Sequence, residues 1–145
     1  MSHIVEIQIE VKDLEALKTA VGKLGLEWRE GQQNFRWYGR FMNDSQVPQG
    51  FSPNEYGKCL HAIAVPGNSQ AYEVGVVRNP NGRGWSLLWD AWSGGFGLQD
   101  RIGEGACRLK QRYDAEVATK SMWEEGFMVS EEMEPDGRIR LVCQR

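Results

Sequence analysis

Residues 72–92, YEVGVVRNPNGRGWSLLWDAW, constrain the fold of this chain more than any other stretch. Their centre, residues 79–84, combines a proline with two glycines, which favours a chain reversal between two strands. Alternation places Tyr72, Val74 and Val76 on one face of the first strand. It likewise places Trp85, Leu87 and Trp89 on one face of the second. The opposite face is not fully polar either. We therefore predict a central hairpin that is partly covered on both sides.

Length and composition indicate one globular domain spanning residues 1–145. The chain is 41% hydrophobic and 26% charged, which is typical of folded proteins rather than disordered ones. Its net charge of −3 argues against a generally basic, nucleic-acid-coating surface. No apolar run approaches the roughly 20 residues of a membrane span, and the N-terminus lacks the regions of a signal peptide. We expect a cytoplasmic protein without membrane contact.

Before the hairpin, the pattern predicts a β-α-β-β unit. Residues 4–11 alternate like a strand, and Asp13 opens a helix whose apolar positions recur at Leu14, Leu17, Val21 and Leu24. Gly25 ends that helix in the usual left-handed position. Strands are predicted at residues 26–29, 34–38 and 60–65, with a long connection at residues 39–57.

After the hairpin, residues 93–97 predict a flexible passage, with a hinge or bulge favoured over a phosphate cradle. A helix follows at residues 104–125, and strands follow at 127–130 and 138–143 around a turn. The sequence therefore predicts an α+β fold: a single mostly antiparallel sheet with two helices on one face, ferredoxin-like or related, in which two helix-strand-strand units surround the central hairpin.

No motif for catalysis, metal binding or a cofactor is present, so we expect no cofactor and favour a protein that is not an enzyme. Cys59, Cys107 and Cys143 fit neither a disulfide framework nor a metal site, and we predict that they are buried free thiols. His3 and His61 are the two histidines, and neither has a sequence partner that indicates catalysis. Asp90 lies among tryptophans, where we favour a structural hydrogen-bonding role.

Basic and aromatic residues form the most informative constellation. The residues predicted to bind a nucleotide-class anionic ligand are Arg36, Tyr38, Arg78, Arg83 and Arg112. Guanidinium groups grip phosphates and aromatic rings stack on bases, which is the reason for that choice. The same residue types also occur in an ordinary core with a solvated rim.

The nucleotide-class ligand is the alternative, and the first hypothesis is a non-enzymatic binding module that docks a protein partner or a second copy of itself. If both helices cover one face of the sheet, the other face is open, and Trp85, Trp89 and Trp92 are the candidate anchors. Carboxylates also cluster near the C-terminus, at Glu124, Glu125, Glu131, Glu132 and Glu134. We interpret that cluster as a solvated acidic face, with a basic partner as the alternative.

Four stretches together resemble one family: the start Met1-Ser2-His3 with its strand and Leu-rich helix, residues 72–92, the helical Gln111-Arg112-Tyr113, and the ending GFMVSEEMEPDGRIRLVCQR. They resemble the hypothetical chloroplast reading-frame thirty-five family, also catalogued as domain of unknown function twelve-fifty-seven, from plastids, cyanobacteria, other bacteria and phages. The resemblance covers nearly the whole chain except residues 40–58. It implies an accessory role beside an AAA-type ATPase or, for a phage member, interference with host machinery.

Overall fold

Seven β-strands and three α-helices make up the described part of the chain, which a computed structural model gives for residues 4–39, 48, 50, 51 and 56–145. In chain order they are β1 (Ile4–Glu6), α1 (Leu14–Lys23), β2 (Glu27–Glu30), β3 (His61–Ala64), β4 (Val74–Arg78), β5 (Trp85–Asp90), α2 (Leu98–Ile102), α3 (Cys107–Glu124), β6 (Met128–Met133) and β7 (Ile139–Gln144). The predicted α+β class with an antiparallel sheet is confirmed.

The strands form two sheets rather than the predicted one. A five-stranded main sheet has the order β1-β5-β4-β3-β2, and β6 pairs with β7 in a separate ribbon. The single-sheet prediction is wrong because α3 lies between the main sheet's core and the ribbon, so the last two strands pair only with each other. A ferredoxin-like arrangement is not confirmed, since its split β-α-β units require parallel neighbours, whereas all pairs of described strands are antiparallel.

The predicted central hairpin is confirmed as β4 and β5. Val76 lies opposite Leu87 in the register, and the turn is closed by the Asn79 amide, which donates to the Gly84 carbonyl at 3.2 Å. Helices α1, α2 and α3 join one face of this hairpin in a single core. Its fully buried members include Val74, Val76 and Leu87 from the strands and Leu17, Leu98, Ile102 and Leu109 from the helices.

Helix α1 begins where the sequence predicts. Asp13 is its N-cap, and the Asp13 carboxylate accepts a hydrogen bond from the Ala16 amide at 3.1 Å. Leu17 and Val21 form its buried face, as the three- and four-residue spacing indicates. Gly25 follows with φ of +71°, a conformation that glycine adopts without a steric penalty.

The second face of the main sheet is covered, so the predicted open face is wrong. The rings of Phe35 and Tyr56 pack there with their centroids 5.3 Å apart, over Ala62 and Leu88. Gly75 of β4 makes this possible, because a Cβ atom at that position would overlap the Phe35 ring. Both faces of the central hairpin are therefore buried, as its two-sided apolar pattern predicts.

Residues 34–38 do not form the predicted strand beside β2. Asn34 makes an isolated antiparallel bridge with Lys58, and the Phe35 amide donates to the Gly57 carbonyl at 2.8 Å. The segment therefore pairs with residues that precede β3, and tertiary contacts override its strand-like alternation.

Residues 93–97, predicted as a hinge or bulge, form a left-handed turn. Ser93 and Phe96 have φ of 52° and 53°, although neither is a glycine. The turn is tied to the main sheet because the Tyr72 amide donates to the Gly95 carbonyl at 2.8 Å. Residues held in this region of φ and ψ are costly, so the surrounding contacts must fix them.

The thiols are free as predicted, but only Cys59 is buried, whereas Cys107 and Cys143 are exposed. The prediction of buried thiols is wrong for those two because they lie at the start of α3 and on the thin ribbon. The predicted long connection at residues 39–57 lies largely outside the described residues, as does His3. No described helix has the length and apolar content that crossing a membrane demands.

Candidate functional site

The five residues predicted to bind an anionic ligand lie in separate places. Arg36 and Tyr38 run beside the main sheet. The Arg36 guanidinium donates to the Ala71 carbonyl at 2.8 Å. The Tyr38 amide donates to a carboxylate oxygen of Asp90 at 3.0 Å. These contacts hold residues 34–38 against the sheet.

Arg78 and Arg83 lie at the β4–β5 turn. The guanidinium carbon of Arg78 is 4.2 Å from the centroid of the Trp85 ring, a cation–π contact. The Arg83 side chain is exposed in the same turn, and the Arg83 amide donates to the Asn81 side chain at 2.8 Å. This turn is the part of the basic and aromatic constellation that the structure brings together.

Arg112 lies on α3, and its charge is used within the protein. Its Nη1 atom is 2.9 and 3.0 Å from the two carboxylate oxygens of Glu131 on β6 and 3.6 Å from Glu116. The Arg112 side chain is 12% exposed. Because two carboxylates already surround it, Arg112 acts as a tie between α3 and the ribbon.

The three tryptophans predicted as anchors do not share one open face. Trp89 is 2% exposed and belongs to the core beneath the helices. Trp85 is half-buried between Arg78 and His61, whose ring centroid is 5.5 Å away. Trp92 is half-buried, and its amide donates to Asp90 at 3.0 Å, which fits the anchoring role predicted for that carboxylate.

The large apolar side chains that are most exposed in the described part of the chain lie in the C-terminal unit, which we define as residues 121–145. Met128, Met133 and Trp123 are 75%, 63% and 61% exposed. Residues 121–137 also carry six carboxylates and no lysine or arginine. Sequence reasoning named the carboxylates but missed these three apolar residues, although Trp123 falls outside the apolar stripe of its helix and Met128 falls on the ribbon's outer face.

A cleft of about 410 Å³ separates α1, α3 and β6. Lys23 of α1 spans it, since its Nζ atom is 2.6 Å from Glu116 and 3.6 Å from Glu131. The hydrogen bond from Arg112 and the charge of that residue lower the pKa of Glu131 below its ordinary value. The Thr119 hydroxyl also lines the cleft, buried and without a hydrogen-bond partner among the described residues. The cleft thus combines a largely apolar wall with charges of both signs.

One edge of the ribbon is unpaired among the described strands. The Glu134 amide donates to the Arg138 carbonyl at 2.8 Å, so these two residues form a hydrogen-bonded pair. Bonded and non-bonded pairs alternate along an antiparallel ladder, so the next bonded residues of β6 are Glu132, Ser130 and Met128. The backbone groups of Val129, Glu131 and Met133 consequently point away from β7. On the β7 side, by contrast, the Ile139 amide donates to the Gln111 side chain of α3 at 3.1 Å.

Buried titratable groups elsewhere serve the structure. The Glu73 carboxylate accepts the Arg36 amide at 2.7 Å, and the Cys59 thiol donates to the Gln32 carbonyl at 3.0 Å. Burial raises the pKa of the Cys59 thiol to about 12, with a contribution from the charge of Glu73, so the thiolate is strongly disfavoured. The described residues contain no group of three or more His, Cys, Asp or Glu side chains placed to hold a metal ion.

Comparison with known proteins gives one informative match. The chain is 26% identical over 148 residues to the uncharacterized protein ycf35 of Cyanophora paradoxa, covering 100% of this chain and 98% of that protein. No family model and no solved structure matches the chain. The catalogue number of the domain of unknown function stays a prediction. Along its whole length, the chain resembles the chloroplast reading-frame thirty-five (ycf35) proteins, as its sequence predicts.

Proposed function

We propose that this protein is a non-enzymatic binding module that engages a protein partner through its C-terminal unit. The observation that carries the proposal is the exposure of Trp123, Met128 and Met133 in that unit, together with its unpaired strand edge. Aromatic residues and methionine are enriched at protein interfaces, and large exposed apolar side chains are characteristic of docking surfaces.

The ribbon's limited packing supports the same proposal. A two-stranded ribbon is only marginally stable in water by itself, so α3 must hold it in place. Its anchoring contacts use the inward side chains, such as Glu131, and leave Met128 and Glu132 facing outward. The ribbon is therefore held in place by α3, while its outer side chains stay accessible to a partner.

Differential capture tests the proposal. The full-length protein and a Met128→Ser/Met133→Ser variant would be used as baits in a host lysate, with an AAA-type ATPase as the first partner to look for. Hot-spot side chains contribute about 2 kcal/mol or more, so the captured partner should fall by roughly an order of magnitude with the variant. Leu60→Ser is the matched control, since Leu60 is also exposed but lies beside the main sheet. Equal capture by all three baits would refute the proposal.

Self-association remains part of the proposal because the exposed methionines of the ribbon are equally available to a second copy. Sedimentation velocity over a range of protein concentrations checks it: a larger species should appear with the unsubstituted chain and disappear with the double methionine variant. The free thiols fit a reducing compartment, and we propose that the module acts in the cytoplasm.

A nucleotide-class anionic ligand is the second candidate function, and the stacking of Arg78 on Trp85 beside Arg83 favours it. A thermal-shift panel of linear and cyclic nucleotides should then raise the Tm of the unsubstituted protein. Arg78→Gln should abolish the shift, whereas Arg36→Gln should not, because Arg36 lies away from the turn. No shift with any nucleotide would eliminate this candidate.

A further inference from the structure

We infer that β6 receives an extended, basic segment of a partner protein as a third strand of the ribbon. The inference rests on the proposed function, since it concerns the same C-terminal unit, and it adds the conformation and the charge of the bound segment. Strand addition at a sheet edge uses main-chain hydrogen bonds for affinity and side-chain pockets for specificity.

The backbone of β6 supplies the hydrogen bonds. The amides and carbonyls of Val129, Glu131 and Met133 point away from β7, and no third strand occupies that side within the described chain. An unpaired row of this kind is a template for another strand. The opposite edge is less suitable because Gln111 accepts the Ile139 amide and donates to the Gly137 carbonyl, at 3.1 and 3.2 Å.

The cleft between α1, α3 and β6 supplies the pocket. It lies against Val129 and Glu131, whose side chains face α3, so alternate side chains of an added strand would project into it. Trp123 borders the cleft and offers an exposed aromatic ring to an aliphatic side chain.

Charge selects a basic segment. Glu124 and Glu125 are exposed at the end of α3, and Glu132 is exposed on the outer face of the ribbon. A second copy added symmetrically through β6 would instead place its own Glu131 and Glu132 beside these carboxylates, and like charges on neighbouring strands are destabilising. A partner segment in which lysine or arginine alternates with apolar residues would place its basic side chains beside the exposed carboxylates and its apolar side chains in the cleft.

The test uses the full chain and a short peptide of alternating lysine and valine, with a glutamate-valine peptide as the control. Hydrogen exchange measured by NMR should slow at the amides of Val129, Glu131 and Met133 when the lysine peptide is added. The amides of Ser130 and Glu132, already bonded to β7, should change little. This alternating pattern distinguishes strand addition from binding of the peptide to a charged surface.

Val129→Pro removes one amide from the unpaired edge without removing a bond to β7. The lysine peptide should then bind about fivefold to tenfold more weakly, the usual effect of one lost hydrogen bond. Glu124→Lys/Glu125→Lys is a second variant that leaves the ribbon backbone untouched, and it should also weaken binding.

Absence of peptide binding, equal binding of the glutamate peptide, or uniform protection of β6 would overturn the inference. Protection of the same three amides that grows with protein concentration alone would overturn it in favour of a second copy. These outcomes are distinguishable from failure of the proposed function, because a partner could still be captured by the unsubstituted chain and lost with the double methionine variant.

Discussion

Two buried carboxylates hold irregular backbone against the main sheet. Glu73 is 3% exposed and accepts the amide of Arg36, and Asp90, fully buried, accepts the amides of Tyr38 and Trp92. Burying a charge is unfavourable unless donors surround it, and backbone amides supply them here. The role of Asp90 could be predicted from its aromatic neighbours, but that of Glu73 could not, since its partner lies 37 positions earlier in the chain.

At the same scale, we predict that Asp13→Ala lowers the free energy of unfolding by about 1 kcal/mol, the usual effect of losing an N-cap. The Lys120 side chain, followed by the Ala16 amide, donates hydrogen bonds that lower the pKa of Asp13 below 3.8. A lowered carboxyl pKa stabilises the fold above the unfolded pKa, and that stability is lost as the pH falls through the folded pKa.

Urea denaturation of both proteins, near neutral pH and again well below pH 3.8, checks this prediction. The difference between their free energies of unfolding should be about 1 kcal/mol near neutral pH and should shrink in acid. Lys120→Met is the control, because it removes the partner but leaves the cap, and it should destabilise less. A difference that persists unchanged in acid would contradict the account.

At the scale of elements, the sequence predicts the features that caps and turns determine locally. The cap of Asp13, the glycine at position 25 and the turn at residues 79–84 fix α1 and the central hairpin, and all are confirmed. Residues 34–38 alternate like a strand but pair with residues near Gly57 instead. Alternation indicates which side chains share a face, but it does not indicate the segment with which the backbone will form hydrogen bonds.

The ribbon depends on its tie to α3. We predict that Arg112→Met speeds hydrogen exchange at the Ser130 and Val142 amides by roughly tenfold or more, since bonds to charged groups contribute about 1.5–3 kcal/mol. Exchange in β4 and β5 should not change. Arg138→Met is the control, because Arg138 pairs with Asp136 on the exposed turn. Slower exchange, or equal acceleration in both variants, would show that Arg112 does not hold the ribbon.

At the scale of the molecule, the main sheet and its two cores form one unit and the ribbon forms an appendage to it. Both buried clusters are built from residues no later in the chain than Tyr113. The sequence shows a helix, a glycine and two strands twice, which suggested two equivalent units in one sheet. The difference lies in the partner strands: β2 meets β3, whereas the described chain offers β6 and β7 no third strand.

We therefore predict that a chain ending at Gly126 still unfolds cooperatively. Thermal unfolding followed by near-ultraviolet circular dichroism should show one transition at a reduced Tm, because α3 loses its cover but both cores stay complete. Partner capture should be lost at the same time. A truncated chain without a cooperative transition would show that the ribbon is an integral part of the fold.

The candidate site could be predicted only in part for the same reason. The sequence identified the acidic cluster and offered a basic partner as an alternative reading of it. It did not identify the unpaired edge of β6, because an edge is defined by the strands that are absent beside it. The predicted ligand residues do not form one site, because Arg36, Arg78 and Arg112 each contact a different part of the protein.

The carboxylates of residues 121–137 give the molecule a permanent electrical asymmetry. The C-terminal unit, residues 121–145, holds six carboxylates and three arginines, so it carries the whole net charge of −3 and the charges of residues 1–120 balance. An approaching basic partner is thus attracted to the C-terminal unit more strongly than to the rest of the molecule, so it arrives already oriented. Such steering raises association rates by about 10 to 10³-fold and weakens as salt is added. Stopped-flow association of a basic partner should therefore slow steeply with ionic strength, while its dissociation changes little.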